Sequence, residues 1–334
     1  MRYFGKTGMK IKRVGFGGIP IQRISQEDTN KVIDELEKCG VNFIDTARGY
    51  TVSEEYLGNA LKGRREKFYI ATKSMSRDYE SMKRDIEISL KNLQTDYIDL
   101  YQMHNVKPAE YDTLFGEDKA YRALLEAKEQ GKIKHIGITS HGLETVEKAV
   151  ESDKFETIQF PYNIVENQAD EVFKRAYEKG VGTIVMKPLA GGAIDDGTLA
   201  MKYLLSREYI DVAIPGMDSP QQVIENTDVL QNYELTEEDN KKIAKIKSEL
   251  GTNFCRRCEY CLPCPKGINI PQNFLLEGYY NRYNLKDWAV DRYRGLAENE
   301  RASNCIECGA CQKKCPYELP IIDMLKKVVD TLEK

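Results

Sequence analysis

The sequence predicts a closed (β/α)₈ barrel followed by a small module of different composition. Three observations predict it. Short β-rich runs alternate with longer amphipathic segments eight times over the first 250 residues, the order expected when each parallel strand is followed by a crossover helix. The length of 334 residues leaves room for one barrel of about 250 residues and one small addition. Eight of the nine cysteines fall in the last 80 residues.

The strand candidates, in order, are Val14–Gly17, Val41–Asp45, Phe68–Thr72, Tyr97–Met103, Ile133–Thr139, Thr157–Phe160, Gly182–Met186 and Asp211–Ile214. Most are plain apolar runs, as suits strands covered by helices. Helix signals lie between them. Ser25 with Asp28 opens one helix, Val32, Ile33 and Leu36 share one of its faces, and Gly40 stands at its stop; Gly63, Gly131 and Gly180 repeat that stop. A doubly wound fold would want G-x-G-x-x-G opening the first helix. Here Gly15, Gly17 and Gly18 run into Ile19-Pro20, which argues against it. Thr236 to Leu250 reads as one further charged helix ending at Gly251, after which cysteine, proline and tyrosine dominate. The boundary is therefore expected near Gly251, with a barrel over 1–250 and a second domain over 251–334.

A net charge of −4 with both signs interspersed offers no basic surface for nucleic acid. No apolar run of 18 or more residues occurs, and Met1-Arg2-Tyr3-Phe4-Gly5 leads straight into charged sequence; a cytoplasmic protein with no membrane association is expected.

In such a barrel the chemistry gathers at the C-terminal ends of the strands. Three consecutive strands end in Phe43-Ile44-Asp45, which runs on to Tyr50, in Ala71-Thr72-Lys73 and in Gln102-Met103-His104. A carboxylate, a phenol, an ammonium and an imidazole would converge there. A phenol near pKa 10 is a poor acid at neutral pH unless a cation helps it lose its proton, and Lys73 can be that cation. Asp45 would hold Lys73 charged, while His104 and Tyr50 would orient a carbonyl oxygen.

Together these residues resemble the aldo-keto reductase family, whose tetrad is an Asp, a Tyr five residues later, a Lys at the next strand end and a His at the one after. D-T-A-R-G-Y at 45–50, A-T-K at 71–73 and Q-M-H at 102–104 match it, and the resemblance runs through most of residues 1–235. It implies reduction of a small-molecule aldehyde or ketone by NAD(P)H, with Asp45, Tyr50, Lys73 and His104 catalytic. It also implies that the opening M-R-Y-F-G-K-T-G-M-K-I is a hairpin plugging the barrel floor. For the cofactor it implies Thr139 and Ser140 (where members carry Ser-Asn) and Gln159 on the carboxamide, and Met186 where members stack a Tyr on the nicotinamide. Lys187 and Leu189 belong to the loop over the pyrophosphate, and Asn226 to the adenine contact. Members selective for NADP carry Lys or Arg at the positions of Gly216 and Gln222, since a 2′-phosphate demands a cation. Their absence points to NAD(H) or to loose discrimination between NAD(H) and NADP(H). His141 lies where the cofactor mouth would be.

The run C-I-E-C-G-A-C-Q-K-K-C-P at 305–316 is the bacterial ferredoxin spacing C-x₂-C-x₂-C-x₃-C-P, whose fourth cysteine ligates the other cluster. C-R-R-C-E-Y-C-L-P-C-P at 255–265 repeats it with one residue fewer before the fourth cysteine. Carried over from ferredoxins, Cys255, Cys258, Cys261 and Cys315 hold one [4Fe–4S] cluster, and Cys305, Cys308, Cys311 and Cys264 the other. Zinc is the competing metal, but its sites take two cysteines per knuckle rather than three plus one before proline. A disulfide domain would want an export signal. Ile270-Pro271 and Leu319-Pro320 each precede a helix-like run, an internal repeat. The longer separation of the two motifs resembles the helical ferredoxin modules of redox enzymes.

Two functions follow. In the first, NAD(P)H reduces a carbonyl and Tyr50 supplies the proton. In the second, the clusters relay electrons to a redox partner protein, a ferredoxin or flavoprotein, and the barrel is a sensor or docking platform. A third reading makes the clusters a staple for a tail too small to hold a core alone.

Overall fold

The computed structural model describes residues 1–250, 254–256, 260–281, 286–315 and 317–333. The chain divides into two compact units, one of residues 1–191 with 196–240 and one of residues 192–195 with 241–334.

The first unit is a (β/α)₈ barrel entered through a hairpin. Strands β1 (Arg2–Tyr3) and β2 (Lys10–Ile11) pair antiparallel. Eight parallel strands follow: β3 (Phe16–Gly17), β4 (Phe43–Asp45), β5 (Tyr69–Ser74), β6 (Ile98–Met103), β7 (Ile133–Thr139), β8 (Thr157–Pro161), β9 (Gly182–Met186) and β10 (Val212–Ala213). Each pairs with the next in sequence order. Parallel bridges Val14–Ala213 and Gly17–Gly216 join the last strand to the first. All eight runs expected from the sequence form strands; β3 and β10 are the shortest because the seam is held by single bridges. Two glycines of the rejected dinucleotide motif allow close backbone approach, Gly17 at this seam and Gly18 against β4. A β-carbon on Gly17 would lie 2.8 Å from the Ile214 carbonyl oxygen, and one on Gly18 would lie 2.9 Å from that of Asp45. Only a residue without a side chain lets these backbones approach.

After the strands come α1 (Gln26–Lys38), α2 (Ser53–Ala60), α3 (Tyr79–Leu93), α4 (Ala120–Glu129), α5 (Leu143–Glu151), α6 (Asp170–Lys179), α7 (Gly197–Leu205) and α8 (Pro220–Asp228). Ser25 caps α1 by accepting from the Asp28 N–H at 3.1 Å, and Val32, Ile33 and Leu36 are buried. The four stop glycines all take positive φ. The hairpin fills the end of the barrel where the strands begin. Phe4, fully buried, meets the Phe43 ring edge-on at 5.5 Å and packs with Met9, Ile11, Leu100, Ile184 and Val212.

Helix α9 (Glu237–Leu250) starts at Thr236, whose hydroxyl accepts from the Asp239 N–H at 3.1 Å. The second unit carries α10 (Ile270–Asn281), α11 (Lys286–Arg294), α12 (Ala310–Lys314) and α13 (Ile321–Leu332). Ile270-Pro271 opens α10 and Leu319-Pro320 precedes α13, so the internal repeat of the sequence marks two helix starts. Ile321, Leu325, Val328 and Leu332 form one face of α13 and pack with Phe274, Leu276, Tyr293, Cys261 and Cys311. This unit is mainly helical, as expected. Among the described residues no helix is long and apolar enough to cross a membrane.

Candidate active site

Asp45 ends β4, Lys73 lies near the end of β5, and His104 immediately follows β6, so the three neighbouring strands deliver their side chains to one mouth. Tyr50 comes from the connection between β4 and α2. That connection is tied to the barrel by its backbone: the Thr46 N–H donates to Ala71 O at 2.8 Å and the Arg48 N–H to Lys73 O at 3.0 Å. Arg48 also donates to Glu54 at 3.2 Å. Glu54, buried, accepts in addition from the Thr72 and Ser89 hydroxyls, both at 2.7 Å. A buried carboxylate with this many donors is satisfied and stiff, and it fixes the start of α2 just beyond Tyr50.

Lys73 Nζ donates to Asp45 Oδ2 at 2.5 Å and to Thr46 O at 2.7 Å, with the two side chains only 1% and 3% exposed. The same Nζ stands 4.9 Å from the centre of the Tyr50 ring. The Tyr50 and His104 rings meet nearly at right angles, 6.0 Å apart. All four predicted side chains therefore share one cluster.

Burial pulls the Lys73 ammonium down, but the Asp45 carboxylate and the Tyr50 phenol outweigh it and hold it above the usual lysine range. Burial pushes the Asp45 carboxyl up, and Lys73, Gln102 and Gln159 pull it back. Burial also raises the Tyr50 phenol, against the downward pull of Lys73. His104 is driven down to about 3 by burial, then by the charges of Lys73 and Arg77, so it is neutral at physiological pH. Its Nδ1 is buried with no hydrogen-bond partner among the described residues.

Two contributors were not anticipated from the sequence. Gln102, fully buried on β6, donates through Nε2 to Asp45 Oδ1 at 3.2 Å and to Gln159 Oε1 at 3.0 Å. Arg77 donates to the His104 carbonyl at 2.8 Å and to Glu110 at 3.1 Å. Gln102 falls two residues before His104, the inward period of a strand, which is a signal the sequence does carry. Arg77 lies in a loop and carries none.

The residues expected to face the cofactor lie around the same mouth. Thr139 ends β7, and its hydroxyl accepts from the Asn105 N–H at 2.7 Å. Ser140 Oγ donates to Val106 O at 2.6 Å and accepts from the Gly142 N–H at 2.9 Å. Both hydroxyls thus hold the neighbouring loops. Gln159, on β8, reaches Asp45 directly and is joined to it again through Gln102. Met186 ends β9. Lys187 takes φ +57°, its carbonyl accepts from Asn163 at 3.0 Å, and its Nζ lies 2.7 Å from His141 Nε2. His141 Nδ1 is 2.8 Å from Asn105 Oδ1. Leu189 is half-buried in the turn that follows. Beyond β10, Gly216 approaches Pro20 closely, and Ser219 caps α8. Gln222 accepts from the Asp218 N–H at 2.8 Å, and Asn226 donates to Gln222 O at 2.8 Å. Arg23 reaches this corner too, 3.5 Å from the Asp218 carboxylate.

In the second unit, Cys264, Cys305, Cys308 and Cys311 line one cavity together with Ile268, Ile270 and Leu325. Cys255, Cys261 and Cys315 line another with Phe274, Tyr317 and Leu319. Ile270 lines both. Cys258 lies outside the described residues. The seven described cysteines of this unit are grouped as the ferredoxin pattern implies, with the fourth cysteine of each motif lining the other motif's cavity. Burial pushes the Cys311 thiol up.

Comparison with known proteins agrees with this architecture. The model of the Aldo/keto reductase family matches residues 13–198, and that of a 4Fe-4S dicluster domain matches residues 254–320. An L-galactose dehydrogenase of Arabidopsis thaliana is 26% identical over 301 residues, covering 75% of this chain and 94% of that protein. A methylglyoxal reductase of Escherichia coli (strain K12) is 29% identical over 251 residues, covering 69% of this chain and 88% of that protein. The holo form of an aldo-keto reductase from Bacillus halodurans superposes with a TM-score of 0.65 at 26% identity, over 73% of this chain and 95% of that one. With its family model spanning more than half its length, on a barrel that gathers Asp45, Tyr50, Lys73 and His104, the chain belongs to the aldo/keto reductase family of oxidoreductases.

Proposed function

We propose that the barrel reduces an aldehyde or ketone with NADH, Tyr50 acting as general acid, and that the C-terminal unit binds two [4Fe–4S] clusters. The observation that carries this reading is Lys73 Nζ, bonded to Asp45 at 2.5 Å and 4.9 Å from the Tyr50 ring. When bound, the dihydronicotinamide supplies a hydride to the carbonyl carbon. The displaced π electron pair goes to the carbonyl oxygen, which takes the Tyr50 proton, and the phenolate left beside the Lys73 ammonium is reprotonated from water. Asp45 keeps Lys73 charged at that moment. His104, neutral, orients the carbonyl oxygen by hydrogen bonding without adding a charge that would compete with Lys73.

The residues around the adenosine end support NADH over NADPH. A 2′-phosphate wants an unengaged cation, whereas Gly216 has no side chain, Gln222 accepts from the backbone, and Arg23 already pairs with Asp218.

The cysteine sites fit iron–sulfur clusters. Four thiols share one apolar cavity, and three closely spaced cysteines plus one before proline, twice over, suit a cube of iron and sulfide better than zinc. Ile268, Ile270, Leu325, Phe274 and Leu319 supply much of the apolar lining such a cluster takes.

Replacing Tyr50 by Phe tests the reading. Carbonyl-dependent NADH oxidation is expected to fall by about 10²–10⁴-fold, the range for a lost general acid, with iron content and helical signal unchanged. Unchanged turnover in a folded variant contradicts it.

A further inference from the structure

Gln102 occupies a costly place. Its side chain is fully buried, both of its hydrogen bonds run through Nε2, and its Oε1 is buried with no partner among the described residues. An unsatisfied buried carbonyl is destabilising, so a leucine of similar bulk would be the better choice if the position only filled the barrel. The barrel also makes room for this side chain. A β-carbon on Gly137, the neighbouring residue on β7, would lie 3.1 Å from Gln102 Cγ and 2.2 Å from Thr157 Oγ1.

The orientation of the amide follows from chemistry. A carboxylate accepts only, so the end of Gln102 facing Asp45 Oδ1 must be the NH₂. That same NH₂ meets Gln159, which must therefore present its oxygen. Asp45 has its other oxygen on Lys73. Gln159 also reaches the Asp45 carboxylate on its own, and the Gln102 amide, bonded to both, braces that contact.

We propose that Gln102 is a positioning residue that braces Gln159 against the Asp45–Lys73 pair, so that cofactor docking and the charge beside Tyr50 are coupled by this side chain. The proposal rests on the reading of Gln159 as a cofactor contact and Tyr50 as the acid. The titratable groups facing Tyr50 among the described residues are Asp45 from β4, Lys73 from β5 and His104 from beyond β6. Loss of the Gln102 donor leaves the Asp45 carboxylate less stabilised. Lys73 is then held less firmly as the ammonium, and its pull on the Tyr50 phenol weakens.

The experiment uses the cluster-loaded chain with Gln102→Leu and Gln102→Glu. NADH affinity is measured by fluorescence titration without substrate, and kcat for methylglyoxal reduction is measured against pH. Gln102→Leu is expected to weaken NADH binding by about tenfold, the effect of one lost buried hydrogen bond. It is also expected to lower kcat and to move the alkaline limb of its pH profile upward. Gln102→Glu offers one O–H donor only while protonated, so its NADH affinity should approach that of the unsubstituted chain at acid pH and fall as pH rises. A folded Gln102→Leu chain with NADH affinity within twofold overturns the proposal, as does a kcat loss with the alkaline limb unmoved, which marks a packing role. If Gln102→Leu does not fold, pH-independent NADH affinity in Gln102→Glu overturns it. Inactivity of the unsubstituted chain toward every carbonyl tested would count against the reductase reading alone, since the NADH titration still reads the role of Gln102.

Discussion

His104 carries a consequence for stability that is separate from catalysis. In the fold its imidazole is held down to about 3, chiefly by burial, whereas an unfolded chain protonates histidine near 6.5. Between those values the unfolded state binds the extra proton, so stability rises with pH across that window and falls on acidification by up to about 1.4 kcal/mol per pH unit. A His104→Gln chain lacks this contribution. Urea denaturation at pH 7 and pH 4.5 should show a smaller loss of stability for the variant than for the unsubstituted chain; equal losses would mean that His104 takes up its proton in the fold. At this scale the sequence was informative wherever a residue type sat at a strand end. Asp45, Lys73 and His104 each follow an apolar run, and the strand-end rule locates them. Gln102 sits inside such a run and reads as an imperfection in a strand, because its meaning lies in Asp45 and Gln159, which are distant in sequence.

The hairpin and the seam decide how the barrel holds its mouth open at one end and closes at the other. Phe4 fills the space that Gly182 leaves: a β-carbon there would lie 2.5 Å from the Phe4 ring. Replacing Phe4 by Ala empties this plug and should lower stability by about 3–5 kcal/mol, the range for a buried phenylalanine. Its partners lie in the half of the barrel where the strands begin, away from Tyr50 and His104, so kcat should stay within about twofold for the fraction that remains folded. Denaturant midpoints with kcat at low temperature check both parts. A large fall in kcat with stability intact would show that the plug sets the geometry of the mouth. The eight strands were legible as apolar runs between glycine stops, and the helix caps at Ser25 and Thr236 behaved as their side chains dictate. Strand length at the seam was not legible. Val14–Gly17 and Asp211–Ile214 look as good as any other run, yet their pairing reduces to isolated bridges because glycine and proline occupy the closing positions. The hairpin was signalled only by resemblance, since two-residue strands have no periodicity to read.

At the scale of the whole chain, the proposed function joins two kinds of redox chemistry. In it the barrel would handle an electron pair with a proton, and the cluster sites single electrons. Cysteine spacing made the second unit readable, and the structure gathers the described cysteines into two cavities with Ile270 between them. A relay is therefore the alternative to direct reduction in the barrel, with electrons reaching a substrate or partner through the clusters. The two routes differ in where the hydrogen on the reduced carbon comes from. Hydride transfer moves it directly from the nicotinamide, whereas an electron relay takes it from water. The decisive measurement is the reduction of methylglyoxal in ordinary water by NADH deuterated at both C4 positions, with the product examined by mass spectrometry and NMR. Hydride transfer in the barrel, with Tyr50 as the acid, predicts one deuterium on the new carbinol carbon and a hydroxyl proton from solvent. A product carrying only protium at that carbon would contradict it and assign the reaction to the clusters.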